Sequence, residues 1–325
     1  MDRSIRKQSP AKLNLSLAIG APVPPKGYHP IASWFVPIDL SDELTLTALA
    51  PGAVSEHAIA WEDGREIDWP LEKDLAVRAH REVEQLVGRE LPVRLTLRKR
   101  IPTGGGLGGG SSDAASMLIG LNAVCGLHLP HAALVEIATR LGSDIAFFID
   151  ERIMEGRSST PRHAWVTGFG EQVRRIDGRL AGHLVLIFPP MPCPTADVYR
   201  AFDGLFTGAA KGDEASVPSR GAAERACKDA YIRGKIDPSL LVNDLTAAAY
   251  TAVPALAKLV RERIEPALGA LAPRFGPLRL HMTGSGSTHF VILDPSRSSG
   301  GGPAELAAEL ERAVPGIRCL ATRIV

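Results

Sequence analysis

The sequence predicts an α+β protein of two lobes sharing a central cleft, and three observations carry that prediction. At 325 residues the chain is about twice the length of an ordinary domain. Strand-like and helix-like segments are mixed from end to end with no internal repeat. A dense glycine run, residues 104–110, sits between an alternating segment and an apolar helical one. Residues 1–165 and 166–325 are the expected lobes.

The elements follow in order. Lys12 to Ile19 alternates polar and apolar residues as a half-buried strand does, and Glu43 to Leu49 repeats the pattern after a loop holding Gly27-Tyr28-His29. Leu75 to Val87 is amphipathic at helical spacing, and Val93 to Arg98 alternates again. Ser111 to Val124 is rich in Ala, Leu, Met and Ile with no breaker before Gly126, so a helix follows the glycines. His131 to Leu141 is a further helix, and the short apolar run Ile145 to Ile149 reads as a buried strand. Leu184 to Phe188 is a buried strand stopped by Pro189 and Pro190, after which Thr195 caps a helix. Thr207 to Lys235 lacks periodicity and is expected to be a mobile surface segment, as is Pro295 to Gly302. Helices near Pro238 to Tyr250 and Val253 to Leu268 precede strands at Leu278 to Met282 and His289 to Leu293, which the turn Thr283 to Ser287 joins. A helix from Pro303 to Val314 and a strand from Ile317 to Ile324 complete the chain.

Composition narrows the function class. Thirty-seven Lys and Arg nearly balance 36 Asp and Glu, so no net basic field attracts nucleic acid or an anionic membrane, and phosphate recognition must be local. The four cysteines contain no C-x-x-C pair, which disfavours a zinc knuckle or a disulfide framework. No apolar run reaches the roughly 18 residues of a membrane span, and the N-terminus lacks the continuous apolar stretch of a signal peptide. A cytoplasmic location is expected, and a homodimer is compatible with the chain.

Six glycines within seven residues are costly to order and add little to a core, so something there requires bare backbone. Glycine lets main-chain N–H groups approach an anion, and the helix that follows aims its positive end at the same place. Gly104, Gly106 and Gly109 formally fit a dinucleotide fingerprint, but no ribose-binding acid ends a strand about 20 residues on. A Walker loop needs a lysine where this run passes into Ser111-Ser112-Asp113. A linker would not lie between a strand and an apolar helix. A phosphate cradle is the reading that remains.

Pro102 to Ala115 resembles the phosphate loop of the superfamily of galactokinase, homoserine kinase, mevalonate kinase and phosphomevalonate kinase, the GHMP kinases. Pro10-Ala11-Lys12-Leu13-Asn14-Leu15 resembles their first motif, and Met282-Thr283-Gly284-Ser285-Gly286-Ser287-Thr288 their third. Gly27-Tyr28-His29, Leu141-Gly142-Ser143-Asp144, Thr195-Ala196-Asp197-Val198-Tyr199 and Asn243-Asp244-Leu245 make the chain most similar, within that superfamily, to the 4-diphosphocytidyl-2-C-methyl-D-erythritol kinase family. The resemblance implies the two-lobed GHMP fold, with an N-terminal lobe like domain 2 of ribosomal protein S5 and a ferredoxin-like C-terminal lobe. It also implies ATP-dependent phosphorylation of the 2-hydroxyl of a cytidine diphosphate-linked methylerythritol in non-mevalonate isoprenoid synthesis.

The same resemblance assigns residues. Asp144 is the base that accepts the hydroxyl proton, and Lys12 beside it stabilises negative charge on the attacking oxygen. Asn14, Tyr28, His29, Thr195, Tyr199, Gly284 and Ser285 bind the substrate, the aromatic groups taking its cytosine. Asp74 and Lys99 lie near the ATP nucleoside, and Pro102, Gly104, Gly105, Gly106, Leu107, Gly108, Gly109, Gly110, Ser111 and Ser112 take the phosphates. Mg²⁺ arrives with ATP and has no fixed protein cage, Ser111 or Ser112 assisting it.

The chain departs from the family at several places. The family usually has asparagine where Asp74 stands, phenylalanine at Tyr199, proline at Ala146 and glutamate at Thr246. Residues 151–164 are longer and more charged than expected before the recognisable Thr167-Gly168-Phe169-Gly170-Glu171, and are read as a change to the substrate pocket or a lid. These departures suggest, as the alternative, a divergent GHMP kinase acting on another small alcohol.

Overall fold

The computed structural model describes residues 3–25, 27–178, 180–206, 217–294 and 301–325, and the chain falls into two compact units. Unit 1 comprises residues up to Lys12, Leu40–Thr103 and Gly108–Arg175; unit 2 comprises Leu13–Asp39, Gly104–Leu107 and Ile176–Val325. Two long strands, β1 (Ser4–Ile19) and β2 (Ile31–Ala48), run through both units and pair with each other. From Ser9 onward β1 is buried on both faces, so its alternation in sequence does not mark a solvent side.

In unit 1 a sheet of order β3-β4-β2-β5-β6 contains β3 (Glu56–Trp61), β4 (Val93–Lys99), β5 (Ala164–Gly168) and β6 (Gln172–Arg175). Strand β4 pairs antiparallel with β2, Glu43 opposite Arg98, and parallel with β3, Glu56 opposite Arg94. The parallel pair is joined by α1 (Leu75–Val87), as a parallel pairing requires a crossover. Helix α1 starts on the carboxylate of Asp74 and ends on Gly88 at φ 67°, a left-handed C-cap. Helix α2 (Gly109–Val124) is buried on nearly every side from Ser112 to Leu121, which explains its apolar, non-amphipathic sequence. Helix α3 (His131–Leu141) and two single turns, α4 (Ile145–Phe148) and α5 (Glu151–Met154), follow. The strand expected at Ile145 to Ile149 is therefore corrected to a helical turn; a short apolar run has no periodicity to separate the two.

In unit 2 an antiparallel sheet of order β10-β7-β9-β8 contains β7 (His183–Phe188), β8 (His281–Met282), β9 (His289–Leu293) and β10 (Arg318–Arg323). Its buried residues Val185, Ile187, Val291 and Leu293 share a core with Val198, Leu245, Leu256, Leu268 and Leu306 from the helices of the same unit. These are α6 (Thr195–Phe206), α7 (Val217–Arg233), α8 (Leu245–Ala252), α9 (Pro254–Leu259), α10 (Glu265–Phe275) and α11 (Pro303–Ala313). A π turn, Val260–Ile264, links α9 to α10, so the helix expected from Val253 to Leu268 runs on to Phe275.

Three other expectations change here. Residues 217–233 of the segment expected to be mobile form α7; residues 207–216, like 295–300 of the second such segment, lie outside the described residues. Pro238 opens only a single 3₁₀ turn to Leu240, and α8 begins at Leu245. Thr195 is the first residue of α6 and not its cap, because the N–H groups of Asp197 and Val198 donate to the Pro194 carbonyl. Among the described residues no helix is long and apolar enough to cross a membrane.

Candidate active site

In unit 1, β1 delivers Lys12 and the turn before α4 delivers Asp144. Lys12 Nζ stands 3.2 Å from Asp144 Oδ2, the lysine side chain 3% exposed and the aspartate 26%. Gly108 lies against this pair: a Cβ there would come within 3.1 Å of Lys12 Cγ and 3.2 Å of Phe148 Cζ. Gly108 is also the N-cap of α2 at φ 70°, a left-handed conformation that glycine adopts without strain. The first-turn N–H groups of α2 have no partner within the helix, as in any helix, so they form a donor set beside the Lys12 ammonium. Ser112 adds a hydroxyl: its Oγ is buried with no hydrogen-bond partner among the described residues. Ser111 is half-buried one position earlier.

Behind this helix start lies a buried cluster of three charges. The ammonium of Lys99, expected near a nucleoside, is held between the carboxylates of Asp42 and Asp113. The alternation of β4, which buries Val93, Leu95, Leu97 and Lys99, puts it there. Asp42 also accepts from the Ile101 N–H at 2.8 Å. Burial opposes the charge on Lys99, but the two carboxylates outweigh it and hold the ammonium above its usual pKa. Asp113 is pushed well above the usual carboxylate range by burial and by Asp42, against the pull of Lys99. The Asp74 carboxylate is likewise engaged within unit 1, accepting from the Ala76 N–H at 2.9 Å and from Trp69 Nε1 at 3.0 Å.

In unit 2 the structure brings together two groups of the residues singled out in the sequence. Asn14 donates through Nδ2 to Ser33 Oγ at 2.9 Å and through its backbone N–H to Thr283 Oγ1 at 3.0 Å. Gly106 (φ 74°) and Gly284 (φ 57°) pack beside them; a Cβ on Gly106 would sit 2.6 Å from the Thr283 carbonyl. Thr195 Oγ1 shares a hydrogen bond of 2.9 Å with Ser285 Oγ. Sequence reasoning assigned no role to Asn243, whose Nδ2 donates to the carbonyls of Met282 and Gly284, at 2.8 and 2.9 Å, and so holds the glycine turn in shape. The second group is aromatic. His29 Nδ1 meets the Gly20 carbonyl at 2.8 Å, Nε2 lies 3.0 Å from Asp203 Oδ1, and the ring tilts against Tyr199 with centroids 5.4 Å apart. Asp203 was not foreseen, although four residues after Tyr199 on α6 it shares that helix face. Tyr28 is 61% exposed.

Chemically, unit 1 offers a carboxylate and an ammonium beside a helix N-terminus with a spare hydroxyl, a set suited to a transferring phosphate. Unit 2 offers fixed polar groups and planar rings suited to an aromatic base. Among the described residues no cluster of three or more His, Cys, Asp or Glu side chains is arranged to hold a metal.

The chain is similar to known proteins over most of its length. The model of the GHMP kinases N terminal domain matches residues 74–151. The 4-diphosphocytidyl-2-C-methyl-D-erythritol kinase of Polynucleobacter asymbioticus is 35% identical over 298 residues, covering 91% of this chain and 86% of that one. The kinase of the same name from Methylorubrum extorquens is 33% identical, covering 95% of each. A crystal structure of 4-(cytidine 5'-diphospho)-2C-methyl-D-erythritol kinase superposes with a TM-score of 0.68 at 29% identity, over 99% of this chain and 100% of that one. Homoserine kinase from Cytophaga hutchinsonii, 16% identical, shares the fold with a TM-score of 0.64 over 99% and 94% of the two chains.

Proposed function

The chain belongs to the 4-diphosphocytidyl-2-C-methyl-D-erythritol kinase family of the GHMP kinases, and on that premise we propose that it transfers the γ-phosphoryl group of ATP to the 2-hydroxyl of 4-diphosphocytidyl-2-C-methyl-D-erythritol. The relatives' shared name gives no support to another acceptor alcohol.

The observation that carries the mechanism is the Lys12–Asp144 pair, 3.2 Å apart beside Gly108. In the proposed reaction the Asp144 carboxylate accepts the proton of the 2-hydroxyl as that oxygen bonds to the γ-phosphorus and the bond to the leaving ADP breaks. Lys12 sets positive charge beside the oxygen on which negative charge develops. The first turn of α2, with Gly109, Gly110 and Ser111, holds phosphate oxygens through backbone N–H groups. The partnerless Ser112 hydroxyl fits a phosphate-borne Mg²⁺, which when bound supplies charge neutralisation at the transferring group.

The tilted contact of His29 with Tyr199, with Tyr28 exposed close by in sequence, supports their assignment to the cytosine. The Asn14, Thr283 and Gly284 cluster and the Thr195–Ser285 pair support a role in holding the rest of the substrate. Asp74 and Lys99 are better read as supports of the ATP site than as contacts to the nucleoside, because their charged groups are bonded within unit 1.

Phosphate transfer from Mg-ATP to 4-diphosphocytidyl-2-C-methyl-D-erythritol by the purified protein tests the reading. Asp144→Asn is expected to lower kcat by about 10²-fold or more, the scale of a general base, while ATP still binds. Wild-type protein that binds ATP and transfers nothing to this alcohol would overturn the reading.

A further inference from the structure

The turn that carries Asp144 is too short to hold itself. Helix α4 has four residues, one turn, where isolated helices need about 12–15 to be even marginal. Its C-terminal carbonyls require outside donors.

The hairpin of β5 and β6 supplies most of them, while His131 Nε2 on α3 also lies 3.2 Å from the Ile149 carbonyl. Arg175, the last residue of β6, donates through Nη2 to the Ile149 carbonyl at 2.8 Å and to the Ala146 carbonyl at 3.4 Å, and through Nη1 to the Arg162 carbonyl at 3.1 Å. Its guanidinium carbon lies 5.4 Å from the centre of the Phe147 ring, within cation–π range. The other end of the hairpin touches the same segment, since a Cβ on Gly170 would stand 2.1 Å from the Ser143 carbonyl. The residues on both sides of Asp144 are thus held from one hairpin.

Arg175 is itself anchored. Its Nε lies 3.5 Å from Asp150 Oδ2, and the fully buried Asp150 takes two more bonds, at 3.0 and 3.1 Å, from the guanidinium of Arg162. Arg162 belongs to the segment 151–164 that is longer and more charged than the family pattern, and its bonds tie that segment back to α4. A cavity of about 200 Å³ lined by Val135, Ile149, Val173, Arg162 and Arg175 adjoins the cluster, while the four residues of α4 are themselves buried.

We infer that Arg175, anchored by Asp150 and Arg162, is a positioning residue for phosphoryl transfer: it caps the α4 turn and so fixes the Asp144 carboxylate against Lys12. This inference rests on the role proposed for Asp144. Displacement of a reacting group by about 1 Å costs on the order of 10²-fold in rate, so a released turn affects kcat and leaves substrate binding in place.

Arg175→Met keeps an apolar stem against Phe147 and leaves Asp150 its two bonds from Arg162, so it removes the guanidinium with the least change around it. The expected result is a kcat lower by about 10- to 100-fold with KM for both substrates within about 2-fold, and faster amide hydrogen exchange confined to residues 145–149. Arg175→Lys, whose ammonium still reaches one carbonyl, is expected to fall between the Met variant and wild type, and it serves in place of the Met variant should that one fail to fold. A kcat within about 2-fold of wild type, or kcat and KM changed together, overturns the inference. The proposed function fails separately, through absent wild-type transfer; exchange at 145–149 then decides the inference alone, and an unchanged rate in the variant overturns it.

Discussion

Unit 1 contains two buried charge clusters built to opposite recipes. Lys99 serves two carboxylates, Asp42 and Asp113, whereas Asp150 serves two guanidinium groups, Arg162 and Arg175. The first lies at the start of α2 and the second near the end of α4, so each adjoins one half of the proposed phosphoryl-transfer site. In the acid-rich cluster burial and the neighbouring Asp42 push Asp113 up. In the arginine-rich cluster burial also works against charge, but hydrogen bonds from Arg162 and the charge of Arg175 hold Asp150 down at about 2. Burial opposes charge in both clusters; the ratio of acids to bases decides the direction in which each carboxyl shifts.

The largest effect should come from removing the single cation of the first cluster. Lys99→Met leaves two buried carboxylates facing each other, and a loss of about 3–5 kcal/mol in denaturant unfolding is expected. A loss below about 1 kcal/mol would mean that the carboxylates shed their charge at little cost. Asp150→Asn keeps the shape and one acceptor, so about 2 kcal/mol is the expected cost at neutral pH.

The two clusters should also titrate in opposite directions. Asp150 has a folded pKa below its usual 3.8, so its contribution is present above that value and is lost as pH falls toward about 2. The stability gap between wild type and Asp150→Asn should therefore narrow on acidification. Asp113 has a raised folded pKa, so its contribution is greatest below 3.8 and is lost as pH rises through the folded value. The gap between wild type and Asp113→Asn should widen on acidification, and two gaps of the same slope would break the contrast. The smallest effect is the surface control: Arg94 and Glu56 form an ion pair, 53% and 56% exposed, and Arg94→Gln is expected to leave the melting temperature unchanged within error.

These clusters also mark where sequence reading stops. The Lys12–Asp144 pair was legible because each residue sits in a short motif with its own chemistry. Asp42 was not: it belongs to no motif, and Lys99 is 57 residues away. One signal did exist, since Val93, Leu95 and Leu97 share a strand face with Lys99 and announce an inward-pointing lysine. The hairpin of β5 and β6 escaped because its strands are only five and four residues long, too short to show a clear alternation. Helix α7 escaped for a different reason. Its sequence has almost no amphipathic pattern, so only packing discloses it.

The interleaving of the two units along the chain sets an order of events during synthesis. Leu13–Asp39 leaves the ribosome well over a hundred residues before Ile176 and the rest of unit 2. At roughly 5–20 residues per second that wait is on the order of ten seconds. Through that interval Leu17 and Ile19, buried in the finished protein, lack the core residues from Val185 onward that they share a cluster with. Unit 1 is complete only when its last residue, Arg175, emerges, so the brace on Asp144 is also the final piece of the unit that contains it.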